Sequence, residues 1–498
     1  MNITESIWRN CRAYPDRVAL IVEGQEISYR ELLQLVLIAS GHLAAAGVGK
    51  GDRLAVGVSS PLGRLVIALA LARMGAIGSP YRSDWLPAQK RAVLRRHQIS
   101  CLLLEPEQSY DDQASYPLRV LSTENLLRIP QAQEKLAIPP MSIDADDREW
   151  WIWLSSGTTG VPKSIPETHA EGLMSITLNT LGGKTTGQRV LVFVDLSTQM
   201  GMSATMRSLF MANTVVLTRN ASPANFFALV ERDKPNRVVT STGLATGLPQ
   251  YAQDNLPDSR QLCQSLHTIQ LAGSVLPPAV RRGLDQTIGA RIEVNYGSSE
   301  SGGLAEITPE IARQYPDAHG RLFPWVEAVA FSDEGQPLPQ GEVGLLRFHT
   351  PALVKGYLDD EVATRKAFVG GWYCPGDRGS VDGSGLLRLV GRDSHVINIG
   401  GRKINAEMIE DVLNSDPSVL ESAVVAVNED EATLPVLVAV LVPGRSGAWD
   451  REQLRKRCAE QLGHGYVPKY FVEAGALPRN VGGKIDREQV VKRVAIRG

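Results

Sequence analysis

The 498-residue sequence has little charge imbalance, few cysteines and no long apolar run, and each shortage excludes something. With 52 Lys and Arg against 54 Asp and Glu, the net charge is −2, so nothing pulls the whole chain toward nucleic acid or anionic lipid. Any site for a polyanion must be built locally. The five cysteines, Cys11, Cys101, Cys263, Cys374 and Cys458, include no C-x-x-C pair. That argues against a zinc site and a disulfide framework, and a reducing cytoplasm fits best. No 18-residue apolar span occurs, and the opening MNITESIWRNC lacks a basic region followed by an apolar run. We therefore expect neither export nor a membrane span. The GxxxxG frame that ends in Gly-Lys-Ser/Thr in P-loop NTPases is missing, as are fixed-period repeats and long low-complexity segments.

What is present is an ordinary globular composition, 43% apolar and 21% charged, on a chain too long for one core. Two or more domains are expected. The stretch that organises them is WIWLSSGTTGVPKSIPETH, Trp151 to His169. Its apolar start reads as a short buried strand. Ser155, Ser156, Gly157, Thr158, Thr159 and Gly160 then form a run of small polar residues, with Lys163 just beyond. Small residues let backbone N–H groups approach an anion, hydroxyls add donors, and the lysine adds charge, as a polyphosphate requires. Taken alone, the run reads equally well as a surface linker.

Along the chain, short apolar runs alternate with helical lengths. Asp52 to Ser60, Ala76 to Tyr81, Ser100 to Pro106, Leu191 to Leu196, Thr214 to Thr218 and Arg237 to Thr242 read as strands, with a buried helix over Leu65 to Met74. This predicts a large mixed α/β domain. After about Gly341 the pattern changes to antiparallel hairpins, and a small α+β unit with a helix at Ala406 to Ser415 continues to the C-terminus.

Four more stretches carry residues suited to nucleotide chemistry. LAGSVLPPAV, with Gly273 and Ser274, is a strand end that can seat a flat ring. NYGSSESGG, with Asn295, Tyr296, Gly297, Ser299 and Glu300, places an aromatic, hydroxyls and a carboxylate on a tight loop. GGWYCPGDRG sets Asp377 between glycines, where a carboxylate can take both hydroxyls of a ribose. LPRNVGGKIDRE holds Lys484 on a Gly-Gly loop.

In this order the motifs resemble the adenylate-forming (AMP-binding) superfamily of acyl-CoA synthetases, peptide-synthetase adenylation domains and luciferases, over nearly the whole chain. The resemblance implies a large N-terminal domain (1–392), a hinge at 393–394 and a mobile lid domain (395–498) carrying Lys484. It implies ATP and Mg²⁺ as cofactors, with Ser155 to Lys163 on the β- and γ-phosphates, and Ser299 and Glu300 at the α-phosphate, Glu300 also serving the metal. Gly273, Ser274 and Tyr296 would border adenine, Asn295 and Gly297 would be among the cofactor-binding residues, Asp377 would grip the ribose hydroxyls, Arg392 would reach the same ribose or phosphate, and Lys484 would bridge the α-phosphate and the substrate carboxylate. The implied reaction is activation of a small carboxylic acid as acyl-adenylate, followed by transfer to the thiol of CoA. Rotation of the lid would bring GGRKINAEMIE to the site for the second step. A separate carrier protein bearing phosphopantetheine is the alternative acceptor, and a catalytically silent adenylate-binding regulator is a third reading. No nucleic-acid partner is expected.

The sequence departs from the family pattern at Ser394, where a hinge Asp or Lys is usual, at Pro375, and at Ser299, which keeps the hydroxyl of the usual Thr. Asp195 reads as a strand-end residue capping the following turn, or as the carboxylate with which amino-acid-activating members hold an α-ammonium. His169 is expected to be structural.

Overall fold

A computed structural model describes the chain apart from residues 83–84, 86, 111–115, 127–135, 143–146, 155–162, 182–185, 393–395, 400–401, 428–434, 445–448, 480–482 and 496–498. Two sheets carry the large domain. In the smaller, the strands Arg119–Ser122, Cys101–Leu104, Arg53–Gly57, Ile77–Pro80 and Glu149–Leu154 run parallel, and Ser164–Thr168 closes the edge antiparallel. In the larger, Val18–Val22, Thr214–Leu217, Arg189–Phe193, Arg237–Ser241, Thr268–Ala272 and Arg291–Ser298 are parallel neighbours. Val18–Val22, Cys101–Leu104 and Thr214–Leu217 read as near-continuous apolar runs, as strands buried on both faces do.

The larger sheet continues into antiparallel strands from Gly302–Ile307 onward, well before Gly341, where the sequence pattern had placed the change. The cause is Gly297. A Cβ there would lie 2.1 Å from the Gly302 carbonyl oxygen, so glycine lets the chain fold back immediately after the last parallel strand.

Local signals set the helix that packs against the smaller sheet. Ser60 accepts from the Gly63 N–H, Pro61 occupies the first turn, and Gly75 ends Pro61–Met74 in the left-handed conformation. Nearly all of its side chains are buried, so it is held from all sides rather than along one stripe. Beyond the strand Leu386–Arg392, a three-stranded sheet of Val419–Val427, Val436–Pro443 and Tyr470–Glu473 packs with Ala406–Asn414, Arg451–Leu462 and Arg487–Ala495 around apolar cores of its own. Among the described residues no helix is long and apolar enough to cross a membrane.

The strands Glu149–Leu154 and Ser164–Thr168 flank the segment 155–162, and a buried carboxylate clamps them. Trp150 and Trp153 each donate an indole N–H to Glu167 Oε2, both at 2.9 Å. Burial pushes the Glu167 carboxyl from its ordinary 4.5 up to about 7, against the pull of the two indole donors. The folded protein thus holds this proton more tightly than the unfolded chain, and the group's contribution falls as pH rises from about 4.5 to about 7. Glu167→Gln keeps an acceptor for the indoles and removes the titration. Relative to the parent, it is expected to gain up to about 3 kcal/mol between pH 5 and pH 8. Urea unfolding at both pH values checks this, and an equal difference at both contradicts it.

On the same sheet, His97 bridges Ser79 Oγ and Ser164 Oγ, each at 2.7 Å, and so fixes the residue that follows Lys163. Burial pushes this imidazole down to about 3 and keeps it neutral. His169 is also structural: its Nδ1 accepts from the Ile3 N–H at 3.1 Å.

Candidate active site

The carboxyl ends of the parallel strands in the larger sheet form one edge, where open α/β sheets take ligands. The register sets Ser241 beside Ala272 and Ala272 beside Asn295, so Thr242, Gly273, Ser274, Asn295 and Tyr296 follow one another along it. Gly273 has φ +105°, a conformation suited to glycine, and Ser274 Oγ meets Thr242 Oγ1 at 2.5 Å. Asn295 Oδ1 is buried, with no hydrogen-bond partner among the described residues. A buried acceptor left unmade costs about 1–3 kcal/mol, which makes this atom a candidate acceptor for a ligand at the edge.

Tyr296 donates its hydroxyl to Asp377 Oδ2, which joins two of the sequence-predicted motifs directly. Asp377 is buried, and the antiparallel ladder sets it opposite Arg392, whose backbone alone is described. Ser299 and Glu300 form the turn between Arg291–Ser298 and Gly302–Ile307.

Glu300 and Lys163 are linked by a residue the sequence reading passed over. Tyr357 donates its hydroxyl to Glu300 Oε1 at 2.9 Å, and Lys163 Nζ sits over its ring, 4.5 Å from the centroid. Backbone bonds hold this bridge in place: Leu358 N–H donates to the Ser164 carbonyl at 2.9 Å, and Val354 N–H to the Glu300 carbonyl at 3.0 Å. Burial, then the Glu300 charge, push the Tyr357 hydroxyl far up, so it stays a donor at any working pH. Nothing local in VKGYLDDEVAT marks this role, because the partners lie far off in sequence.

Lys484 is half-buried on its loop. Arg479, also unassigned from sequence, holds that loop: its Nη1 donates to the Gly483 carbonyl at 2.7 Å and its Nη2 pairs with Glu421. An arginine five residues ahead of the lysine was the available signal. The loop abuts the edge described above. A Cβ on Gly243 would lie 2.5 Å from the Gly483 carbonyl oxygen, and one on Gly483 would lie 2.8 Å from Ser241 Oγ. Thus the fold brings Lys484 to the edge that carries Ser274 and Asn295. Ser155, Ser156, Gly157, Thr158, Thr159 and Gly160 lie outside the described residues, as do Asp393, Ser394 and His395.

Asp195 caps its turn, the first of the two roles open to it. Its Oδ1 accepts from the Ser197 N–H at 2.6 Å, and its carbonyl accepts from Thr198 Oγ1.

Comparison with known proteins decides the family. The profile "AMP-binding enzyme" matches residues 7–358, and "AMP-binding enzyme C-terminal domain" matches 408–484. The chain belongs to the AMP-binding enzyme family. Among curated members, a 2-succinylbenzoate–CoA ligase of Bacillus licheniformis is 27% identical over 486 residues, 96% of this chain and 97% of its own. The vibriobactin-specific 2,3-dihydroxybenzoate-AMP ligase of Vibrio cholerae is also 27% identical, over 96% of this chain and 91% of its own. Among solved structures, the O-succinylbenzoate coenzyme A synthetase of Bacillus subtilis in complex with ATP and magnesium ion superposes with a TM-score of 0.84 at 25% identity, covering 98% and 99% of the two chains. The fold is therefore that of the AMP-binding enzymes, a large mixed α/β domain followed by a smaller C-terminal one. This member of the family is an AMP-forming acid ligase, as the motifs led us to expect.

Proposed function

We propose that the enzyme activates a small, aromatic carboxylic acid with ATP and passes it to the thiol of CoA. The observation that carries this reading is the docking of the Lys484 loop against Ser241 and Gly243, on the strand edge that also carries Asn295. The Asn295 acceptor suits the exocyclic amine of adenine, and Asp377 suits the ribose hydroxyls. Magnesium draws most of its ligands from phosphate and water, so one hard carboxylate, Glu300, fits it, and when bound it neutralises phosphate charge. The aromatic class and CoA follow from the 2-succinylbenzoate–CoA ligase and the dihydroxybenzoate ligase among the relatives.

In the first step a carboxylate oxygen bonds to the α-phosphorus of ATP as the bond to the bridging oxygen breaks and pyrophosphate leaves. The acid is already ionised at pH 7, so no general base is required. What must be overcome is the approach of two anions, and Lys484 supplies the cation that meets both. In the second step the thiol sulfur bonds to the acyl carbon, and AMP leaves with the electron pair. Rotation about residues 393–394 withdraws Lys484 and presents the 400–410 face. A large body ending at 392 and a lid beginning at 395 are the moving parts.

Tyr357→Phe keeps the ring beneath Lys163 and removes the donor to Glu300. We expect kcat/KM for MgATP to fall by about tenfold, near 1.4 kcal/mol. Unchanged MgATP kinetics contradict the bridge. The acceptor is tested by incubating enzyme, ATP and acid with CoA or with a phosphopantetheinylated carrier protein and weighing the products by mass spectrometry. The acyl-CoA thioester is expected, and a thioester on the carrier alone overturns the CoA assignment.

A further inference from the structure

In the strand Val419–Val427 the register against Val436–Pro443 shifts between Val419, which faces Pro443, and Glu421, which faces Val442. Leu420 is therefore the extra residue of a β-bulge, a device that re-aims a side chain. Its effect shows in the packing. Val424 lies in the core cluster with Ile409 and Leu413, and strict alternation back from it would send position 420 to that same face. The bulge turns Leu420 to the opposite face instead, where it packs with the cluster of Ala423 and Val425. Leu420 also packs against the apolar cluster of the large domain that holds Val280 and Leu284. Among the described residues it is the one hydrophobic side chain of the C-terminal domain that does so. It stands in a cleft between the two domains, lined by Pro249, Val280 and Gly283 on one side and by Pro417 and Pro443 on the other. The large-domain wall is closely packed, since a Cβ on Gly283 would lie 2.7 Å from Pro249 Cβ.

The next residue ties this contact to the lysine loop. Glu421 is buried and pairs with Arg479, whose Nη1 donates to the Gly483 carbonyl at 2.7 Å. Gly483 in turn meets Ser241 and Gly243. The C-terminal domain thus touches the large domain both at Leu420 and at Gly483, and Glu421 and Arg479 join the two contacts. A body held at one point pivots, and a second point fixes its orientation. Gly483 brings no side chain to its contact, so apolar attachment falls to Leu420. We infer that Leu420 is the anchor by which the C-terminal domain holds the arrangement that delivers Lys484, with Glu421 and Arg479 passing its position to the lysine loop. Leu420 is a positioning residue, since it acts through Lys484. This deepens the acid-activating reading and rests on it.

The test assays the two half-reactions separately. Leu420→Ala removes most of the anchoring hydrocarbon, and acid-dependent exchange of pyrophosphate into ATP should fall about tenfold. Transfer to the thiol from preformed acyl-adenylate should equal or exceed the parent rate, because in the proposed mechanism that step uses the other arrangement. Leu420→Met, close in volume, should restore exchange to within about twofold of the parent. Arg479→Met should show the same split. Combined with Leu420→Ala it should cost less than the product of the two single losses, since both break one line of contacts. An equal loss in both half-reactions overturns the inference by showing a merely structural role, and so does exchange at the parent rate. Lys484→Ala judges the underlying reading separately: exchange abolished there but untouched in Leu420→Ala strikes the anchor alone, whereas exchange that survives there strikes the reading itself. Amide hydrogen exchange followed by mass spectrometry, without substrate, needs no activity. In Leu420→Ala the amides of Thr242–Ala245 and Pro278–Thr287 should exchange several-fold faster while those of Val436–Pro443 keep the parent rate. Unchanged protection of the two large-domain helices overturns the inference.

Discussion

Lys484→Ala is expected to lower acyl-adenylate formation by about 10³-fold or more, while thioester formation from preformed acyl-adenylate stays within several-fold of the parent. The first step joins two anions, and a loss of that size, roughly 4 kcal/mol, is what removing a preorganised cation from a charge-developing site costs. In the proposed mechanism the second step joins a thiol to an acyl carbon after the lid has turned, which leaves the same lysine no task there. The structure adds a reason to expect a clean separation. Gly483 is packed against Ser241 and Gly243, so Lys484 is delivered by a docked loop rather than by a free side chain. Assays of the two half-reactions on folded variant protein check this, and an equal loss in both removes the two-arrangement account.

Gly243→Ala is expected to act on the same step from the opposite side of the contact. Gly243 lies in the short helix Thr242–Ala245 with no positive φ, so alanine imposes no backbone strain there. Its Cβ, however, would stand 2.5 Å from the Gly483 carbonyl oxygen and 3.1 Å from Gly483 Cα, inside contact distance for backbone atoms that cannot swing aside. The loop must withdraw by several tenths of an ångström or more. Because a displacement of about 1 Å can cost on the order of 100-fold, adenylation should slow by one to two orders of magnitude. Transfer from preformed acyl-adenylate should be unaffected, since in the proposed mechanism the loop has then left. Retention of the parent adenylation rate would show that the docked arrangement is not the one used for chemistry.

The parts of this site that were legible in the sequence are those written in contiguous residues. The strand and polar run around Lys163, the Asn295-to-Glu300 turn, Asp377 between glycines and the lysine loop each announce themselves locally, because tight turns and close backbone approach require particular residues side by side. The alternation of apolar runs and helical lengths announced the parallel sheets for the same reason. Contacts between distant residues were not legible. Tyr357 looks like any buried aromatic until the fold sets its hydroxyl on Glu300 and its ring under Lys163. Glu167 looks like a surface carboxylate in SIPETH until two indoles converge on it. Gly243 is one small residue in STGLATG, and its role depends on a loop some 240 positions later. Arg64 stands just ahead of the run Leu65 to Met74 that reads as a buried helix, and its own burial shows only in the fold. Asp195 shows the reverse case: its turn-capping bond lies within its own turn and is legible in the sequence.

The central claim is that this chain makes an acyl-adenylate with a lysine delivered by its C-terminal lid. The most direct measurement is incorporation of labelled pyrophosphate into ATP by the full chain, with magnesium and a panel of aromatic, aliphatic, hydroxy and amino acids, beside the Lys484→Ala protein under the same conditions. Label should enter ATP only when a suitable acid is present, and should not enter it in the variant. Exchange that needs no acid, or exchange that proceeds unchanged without Lys484, would contradict the account.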